Sequence, residues 1–177
     1  MKNILAFGAS SSANSINKIF ANYSSKQIPN SITNLLDLND FEMPIFSIDK
    51  QRANGIPKEA IDFKRHISNC DAIVISFAEH NGSYTSAFKN ILDWTSRIER
   101  IVWCGKPMLL LSASDGERGA KLVLDTAFNR IKRENRDTLF KFSLKNFHSS
   151  FDLEKGILDA ELNKIYKSVL RDFTKVI

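Results

Sequence analysis

The sequence is poor in the residues that build special sites. Its two cysteines, Cys70 and Cys104, sit far apart, and it has three histidines. None falls at a CxxC or zinc-ligand spacing, which excludes a dithiol redox motif and a structural zinc site. Both thiols are expected to be buried and reduced. Glycine is scarce, with seven in 177 residues, and Gly8 alone stands in the loop after the first apolar run. That excludes a G-x-G-x-x-G dinucleotide fingerprint there, and the missing GK[ST] ending excludes a Walker A loop. No window approaches the ~18 consecutive apolar residues of a membrane-spanning helix. Gly8 and the serines behind it interrupt the N-terminal apolar stretch, so no signal peptide is expected and the protein reads as cytoplasmic.

Charge of one sign is not strongly in excess. The net charge is +5, but Lys and Arg are interleaved with Asp and Glu along helical segments. The densest basic cluster, "RIKRENR" (130 to 136), suits a solvated helix end. Neither nucleic acid nor a membrane is expected as a partner. With 43% hydrophobic residues and no linker, repeat or low-complexity tract, residues 1–177 read as one domain.

Strand-like and helix-like segments alternate. "KNILAF" (2 to 7) is a short apolar run, and Ile16, Ile19, Phe20 and Tyr23 then mark one helix face. "SITNLLDL" (31 to 38) predicts a second strand. "NDFEMPIFSIDKQRANGI" (39 to 56) has no stable period and reads as a long loop. Pro57 opens a helix with Ala60, Phe63 and Ile67 inward. "DAIVISFA" (71 to 78) and "KPMLLLSA" (106 to 113) are apolar on both faces, as in the middle of a parallel sheet. Between them Ala87, Phe88, Ile91, Leu92, Thr95 and Ile98 mark a helix, with Trp94 in the core. Leu124, Ala127, Phe128 and Ile131 mark the next. "TLFKFSL" (138 to 144) is a fifth strand. A last helix starts at the cap Asp159, with Leu162, Ile165, Tyr166, Val169 and Phe173 inward. Five such units predict a doubly wound α/β fold. For the strand order 2-1-3-4-5, ligands bind beyond the carboxyl ends of strands one and three, where the order reverses.

Three loops lie at that edge. The first, "FGASSSANSINK" (7 to 18), joins a strand to a helix N-terminus, where free amides favour an anion. Ser10, Ser11, Ser12, Ser15 and Asn17 add neutral donors, and a plain βα turn with a Ser or Asn cap fits the same residues. The second, "AEHNGSYTSAFKNILDWTSR" (78 to 97), presents a polar tract whose amides suit a flat polar ligand, with His80 or Tyr84 against its face. His80 equally suits an exposed loop. In the third, "SASDGERGAK" (112 to 121), Gly116 and Gly119 allow close backbone approach, and Ser114 and Asp115 offer polar atoms. A capped βα connection is the plainer alternative.

These three stretches together resemble the NADPH-dependent FMN reductase family, from the first strand to the fourth helix. The second motif is the specific one: Glu79, Asn81, Gly82, Ser83, Lys89, Asn90, Asp93 and Trp94 stand in register with P-E-Y-N-x-S-x-P-G-x-x-K-N-x-x-D-W. The resemblance implies a flavodoxin-like three-layer α/β sandwich with a five-stranded parallel sheet. It implies that the first loop cradles the phosphate of FMN. The residues from Glu79 through His80, Asn81 and Gly82 to Ser83 would set their amides against the isoalloxazine ring, and Ser114, Asp115 and Gly116 would close its other side. It further implies NADPH or NADH as donor, a small-molecule acceptor such as a quinone, azo compound, free flavin or metal oxyanion, and a homodimer or dimer of dimers. No side chain need act as acid or base, and His80 is the residue placed to tune the ring.

The sequence departs from the family pattern. The first loop lacks the usual arginine, with Ser11 or Ser12 in its place, and Ser15 and Asn17 come one residue late. Ala78 replaces a proline, His80 a tyrosine, and Thr85-Ser86 the usual Pro-Gly. A flavodoxin-like electron carrier and a flavin-free relative are the alternatives. A receiver domain is excluded, since Phe77-Ala78 and Gly8-Ala9 stand where its acidic residues belong.

Overall fold

The computed structural model describes residues 1–135 and 138–177. Five strands, β1 (Lys2–Ala9), β2 (Ser31–Leu36), β3 (Ala72–Phe77), β4 (Met108–Ala113) and β5 (Leu139–Leu144), form a parallel sheet in the order β2-β1-β3-β4-β5. The helices are α1 (Ile16–Lys26), α2 (Ile48–Asn54), α3 (Lys58–Ser68), α4 (Ser86–Thr95), α5 (Lys121–Ile131), α6 (Phe147–Ser150) and α7 (Ala160–Thr174). A short antiparallel pair, β6 (Phe151–Asp152) and β7 (Gly156–Ile157), precedes α7.

Strands β3 and β4 are buried at every residue, which is why their apolar runs do not alternate with polar residues. Alternate side chains go to opposite layers. Leu5, Phe7, Ile75, Phe77 and Leu110 meet α3, α4 and α5; Ile4, Ala6, Val74, Leu109 and Leu111 meet α1 and α7. The three-layer α/β sandwich expected from the sequence is the observed fold.

Several local expectations are corrected. The segment 39 to 56 is not all loop. A 3-10 turn spans Leu38–Phe41, so β2 stops at Leu36, and α2 runs from the cap Ser47 to Gly55. None of the residues of α2 is buried, so no apolar period marks it. In α7, Ile165 faces out at 53% exposure, and the buried stripe is Tyr166, Leu170 and Phe173. Helix α4 ends at Thr95, before Ile98. Cys70 is buried, but Cys104 is partly exposed. In the basic cluster Arg130 pairs with Glu134 at 2.6 Å, while residue 136 lies outside the described residues.

Two residues fix how α1 approaches the sheet. A β-carbon on Gly8 would stand 2.4 Å from the Lys18 amide nitrogen and 2.8 Å from the Asn17 carbonyl carbon. The end of β1 and the first turn of α1 therefore touch backbone to backbone, and only glycine permits it. Asn17, 2% exposed, reaches from α1 across β3 to β4. Its Oδ1 accepts from Ser76 Oγ at 2.7 Å and from the Ala113 amide at 2.9 Å, and its Nδ2 donates to the Ala113 carbonyl at 3.1 Å. Replacing Asn17 by Ala strands three buried polar groups, each costing about 1–3 kcal/mol when unpaired. Asn17→Ala is expected to lower the unfolding free energy by about 2–4 kcal/mol in urea titrations, given partial relaxation. A loss below about 0.5 kcal/mol contradicts this role.

Candidate functional site

The first loop leaves β1 at Ala9 and enters α1 at its cap. Ser15 Oγ accepts from the Lys18 amide at 3.2 Å, and Ser10 Oγ accepts from the Ser12 amide at 3.1 Å. A hydroxyl that accepts still has its own proton to donate, so both remain donors toward a ligand. Ser11, Ser12, Ala13 and Asn14 are exposed. The amides of Ile16 and Asn17 lie in the first turn, where an α-helix leaves its N–H groups without carbonyl partners. The Asn17 side chain departs from its expected place as a ligand donor: it is buried, with Oδ1 accepting from Ser76 and Ala113 and Nδ2 donating to the Ala113 carbonyl, so it is used within the scaffold. The nearest cation, Lys18, pairs with Asp37 and holds that carboxyl below the usual carboxylate range. The loop thus presents neutral donors, serine hydroxyls and first-turn amides.

The second loop contains a tight turn. His80 and Ser83 exchange both backbone hydrogen bonds at 3.0 Å, and Asn81 and Gly82 have φ of 52° and 75°. Positive φ at both central residues is the mark of a type I′ turn, for which Asn-Gly is the favoured pair. The amides of His80 and Ser83 are therefore consumed within the turn, which corrects their expected role at the ring. Those of Asn81 and Gly82 remain. The His80 side chain is exposed. Tyr84 is withdrawn instead. It packs on Phe77 and Phe88 at ring distances of 6.0 and 5.2 Å, and burial pushes its hydroxyl pKa up.

Glu79 serves the scaffold. Its Oε2 accepts from the Val123 amide at 3.1 Å, in the first turn of α5, where the helix dipole favours a carboxylate. This ties the second loop to the third. Thr85 ties it to the first: Oγ1 donates to the Ala9 carbonyl at 3.0 Å and caps α4 by accepting from the Phe88 amide at 3.2 Å. The departure from Pro-Gly thus supplies both a cap and a tether.

In the third loop Gly119, not Gly116, is the sterically required glycine. Gly119 has φ of 59°, and a β-carbon there would lie 2.4 Å from Ser143 Oγ. Its carbonyl accepts from Ser112 and Ser143, at 2.7 and 2.8 Å. The Gly116 carbonyl accepts from the Gly119 and Asn146 amides at 3.2 and 3.3 Å. Ser114 Oγ turns back toward Gly116 O at 3.4 Å. Asp115 pairs with His148 of α6, a use of its carboxylate that differs from the expected ring contact.

The remaining motif residues hold the segment after β2. Asn90 Oδ1 accepts from the Phe46 amide at 2.8 Å and Nδ2 donates to the Met43 carbonyl at 3.1 Å; Trp94 Nε1 donates to the Pro44 carbonyl at 2.7 Å. Lys89 and Asp93 form an exposed i,i+4 pair at 2.7 Å. A cavity of about 330 Å³ opens between Ser11, Leu38, Met43, Ser86 and Asn90. It includes no residue of the 80–83 turn or the third loop, so those two form an open shelf beside it. Leu122, 53% exposed, lies at that shelf, 3.8 Å from where a Gly82 β-carbon would stand. Sequence reasoning missed Leu122, although a leucine off the inward stripe of α5 was the available signal. It also missed the turn, which the Asn-Gly pair announces.

Comparison with known proteins finds relatives in sequence and in fold. A quinone reductase of Escherichia coli is 32% identical over 78 residues, covering 44% of this chain and 42% of that protein. The chain thus aligns with less than half the length of that relative. An NAD(P)H-dependent FMN reductase of Pseudomonas aeruginosa is 27% identical over 134 residues, covering 73% of this chain and 70% of that one. The flavoenzyme NAD(P)H:(acceptor) oxidoreductase FerB of Paracoccus denitrificans has the same fold, with a TM-score of 0.77 at 22% identity over 99% of this chain and 96% of its own. The family model described as NADPH-dependent FMN reductase matches residues 2–133, from the first strand through the helix that Glu79 caps, and the chain belongs to that family.

Proposed function

We propose that the protein is an NAD(P)H-dependent FMN oxidoreductase that passes electrons to a small-molecule acceptor such as a quinone, azo compound, free flavin or metal oxyanion. The observation that carries the reading is the neutral donor cradle at the head of α1, tethered through Thr85 to the turn at 80–83. Ser10, Ser11, Ser12 and Ser15, with the amides of Ile16 and Asn17, hold the phosphate. The amides of Asn81 and Gly82 and the exposed His80 and Leu122 receive the ring, with Ser114 and Gly116 on the other side. Glu79, Asn90 and Asp115 position these loops. When bound, FMN supplies the relay of two electrons between nicotinamide and acceptor. No helix of the described residues is long and apolar enough to cross a membrane, and we place the protein in the cytoplasm.

The test is a calorimetric titration with FMN followed by stopped-flow mixing with NADPH and NADH. Saturable binding, a raised melting temperature and loss of the oxidised flavin absorbance are expected. Ser11→Ala combined with Ser12→Ala is expected to weaken binding by about tenfold, from two neutral hydrogen bonds of about 0.5–1.5 kcal/mol each. Absence of both heat and thermal shift at saturating FMN overturns the reading. Binding without reduction by either nicotinamide favours the electron-carrier alternative.

His80→Ala is expected to lower FMN affinity or the rate of flavin reduction by about threefold or more, the scale of one lost aromatic contact. If both stay unchanged, His80 is not part of the site.

The shelf at 80–83 is open, and Ile45 and Ile48 are 77% and 43% exposed on a segment pinned by Asn90 and Trp94. We assign these isoleucines to a homodimer interface. Light scattering at micromolar concentration is expected to give a dimer, or a dimer of dimers, and Ile45→Asp a monomer. A monomeric parent protein contradicts the assignment.

A further inference from the structure

We propose that Cys104 and Lys64 form a peroxide-triggered covalent switch, in which oxidation of the thiol joins the two side chains through a sulfur–nitrogen bond. The pair lies in the layer of α3, α4 and α5, toward the amino ends of the strands and away from the three loops. Lys64 sits on the buried face of α3 with its side chain 7% exposed. Its Nζ is 3.1 Å from Cys104 Sγ, 2.7 Å from the Val102 carbonyl, 3.2 Å from the Ile101 carbonyl and 2.7 Å from Glu99 Oε2. The carbonyl and carboxylate contacts account for tying the 99–104 turn to α3. They do not account for the cysteine.

Cys104 has φ of 53° and is followed by Gly105 at 66°. A side chain in the left-handed region is strained, and a residue chosen for the turn alone would be Gly or Asn. The left-handed backbone instead delivers the sulfur of a partly exposed residue against a buried cation, with Ser68 Oγ and Glu99 Oε2 each 3.8 Å from it. A thiol beside a lysine and open to solvent is the environment of a reactive cysteine. Cys70 is the internal contrast. It is buried, its Sγ donates to the Ile67 carbonyl at 3.2 Å, and burial pushes its thiol up to about 11.

The chemistry balances with hydrogen peroxide as the oxidant. The Cys104 thiolate attacks one peroxide oxygen; the S–O bond forms, the O–O bond breaks and hydroxide leaves. The Lys64 ammonium gives a proton to that hydroxide, with Glu99 positioned to relay it. The freed amine attacks sulfur; the S–N bond forms, the S–O bond breaks, and the departing hydroxide takes a second proton from nitrogen. Thiolate, ammonium and one peroxide become one sulfenamide and two waters, with two electrons passing from sulfur to peroxide. Sulfenic acids condense with nearby nitrogen in this way.

The test treats the full chain with hydrogen peroxide and maps its peptides by mass spectrometry. The expected product is a cross-linked peptide pair containing residues 64 and 104, lighter by two hydrogens than the reduced pair and released by dithiothreitol. Alkylation by iodoacetamide is expected to be at least about tenfold faster at Cys104 than at Cys70. Lys64→Arg keeps the cation but removes the nucleophilic amine, so Cys104 should still be trapped by dimedone while the cross-link disappears. Lys64→Met should in addition slow alkylation of Cys104 by about tenfold. Because Lys64→Met also removes the turn's anchor, Lys64→Arg serves as the control that keeps it. Equal alkylation of the two cysteines, or peroxide oxidation of Cys104 in the parent chain without any cross-link, overturns the proposal.

Discussion

One amide group holds the functional edge together. Asn17 stands on the first turn of α1, and its side chain saturates both backbone polar groups of Ala113 and the hydroxyl of Ser76. The ends of β3 and β4 and the head of α1 are thereby fixed relative to one another by buried hydrogen bonds. Gly8 permits the approach and Asn17 locks it. Everything the first loop can offer a ligand, from its serine hydroxyls to its open first-turn amides, is aimed by that lock. The residue serves the ligand best by not touching it with its side chain.

The electrostatics follow from the same arrangement. A phosphate cradle built with an arginine uses one charged hydrogen bond worth about 1.5–3 kcal/mol, whereas a neutral one contributes about 0.5–1.5 kcal/mol. On that scale a few serine hydroxyls and first-turn amides can sum to as much as one guanidinium contact. Lys18, the basic residue of the 7–18 stretch, pairs with Asp37, which also caps the 3-10 turn through the Asn39 amide at 2.9 Å. Charge here organises the scaffold, and uncharged groups face the ligand.

Much of this was legible in the sequence, for identifiable reasons. β3 and β4 are buried on both faces, so their apolar runs had one reading, and the switch point between β1 and β3 followed from the order of elements. Asp159 announced the start of α7. In the stripe of α7, Leu162, Tyr166, Val169 and Phe173 pack inward as read, but Ile165 faces out and Leu170 takes its place, because the two are equally apolar and only packing separates them. Helix α2 buries nothing and left no period. At the site, residue types were visible but their directions were not. Glu79, Asn90 and Asp115 carry polar atoms suited to a ligand, yet each is spent on the chain itself. No spacing rule distinguishes a carboxylate that caps a neighbouring helix from one that meets a bound molecule.

The tether from Thr85 to Ala9 and the cap from Glu79 to Val123 join three loops that the chain visits dozens of residues apart. Such loops ordinarily flicker independently. Here hydrogen bonds tie the second loop to the end of β1 and to the first turn of α5, so a displacement of one is resisted by the others. An incoming molecule has little left to freeze, and its affinity is correspondingly spared the entropic loss that mobile loops impose.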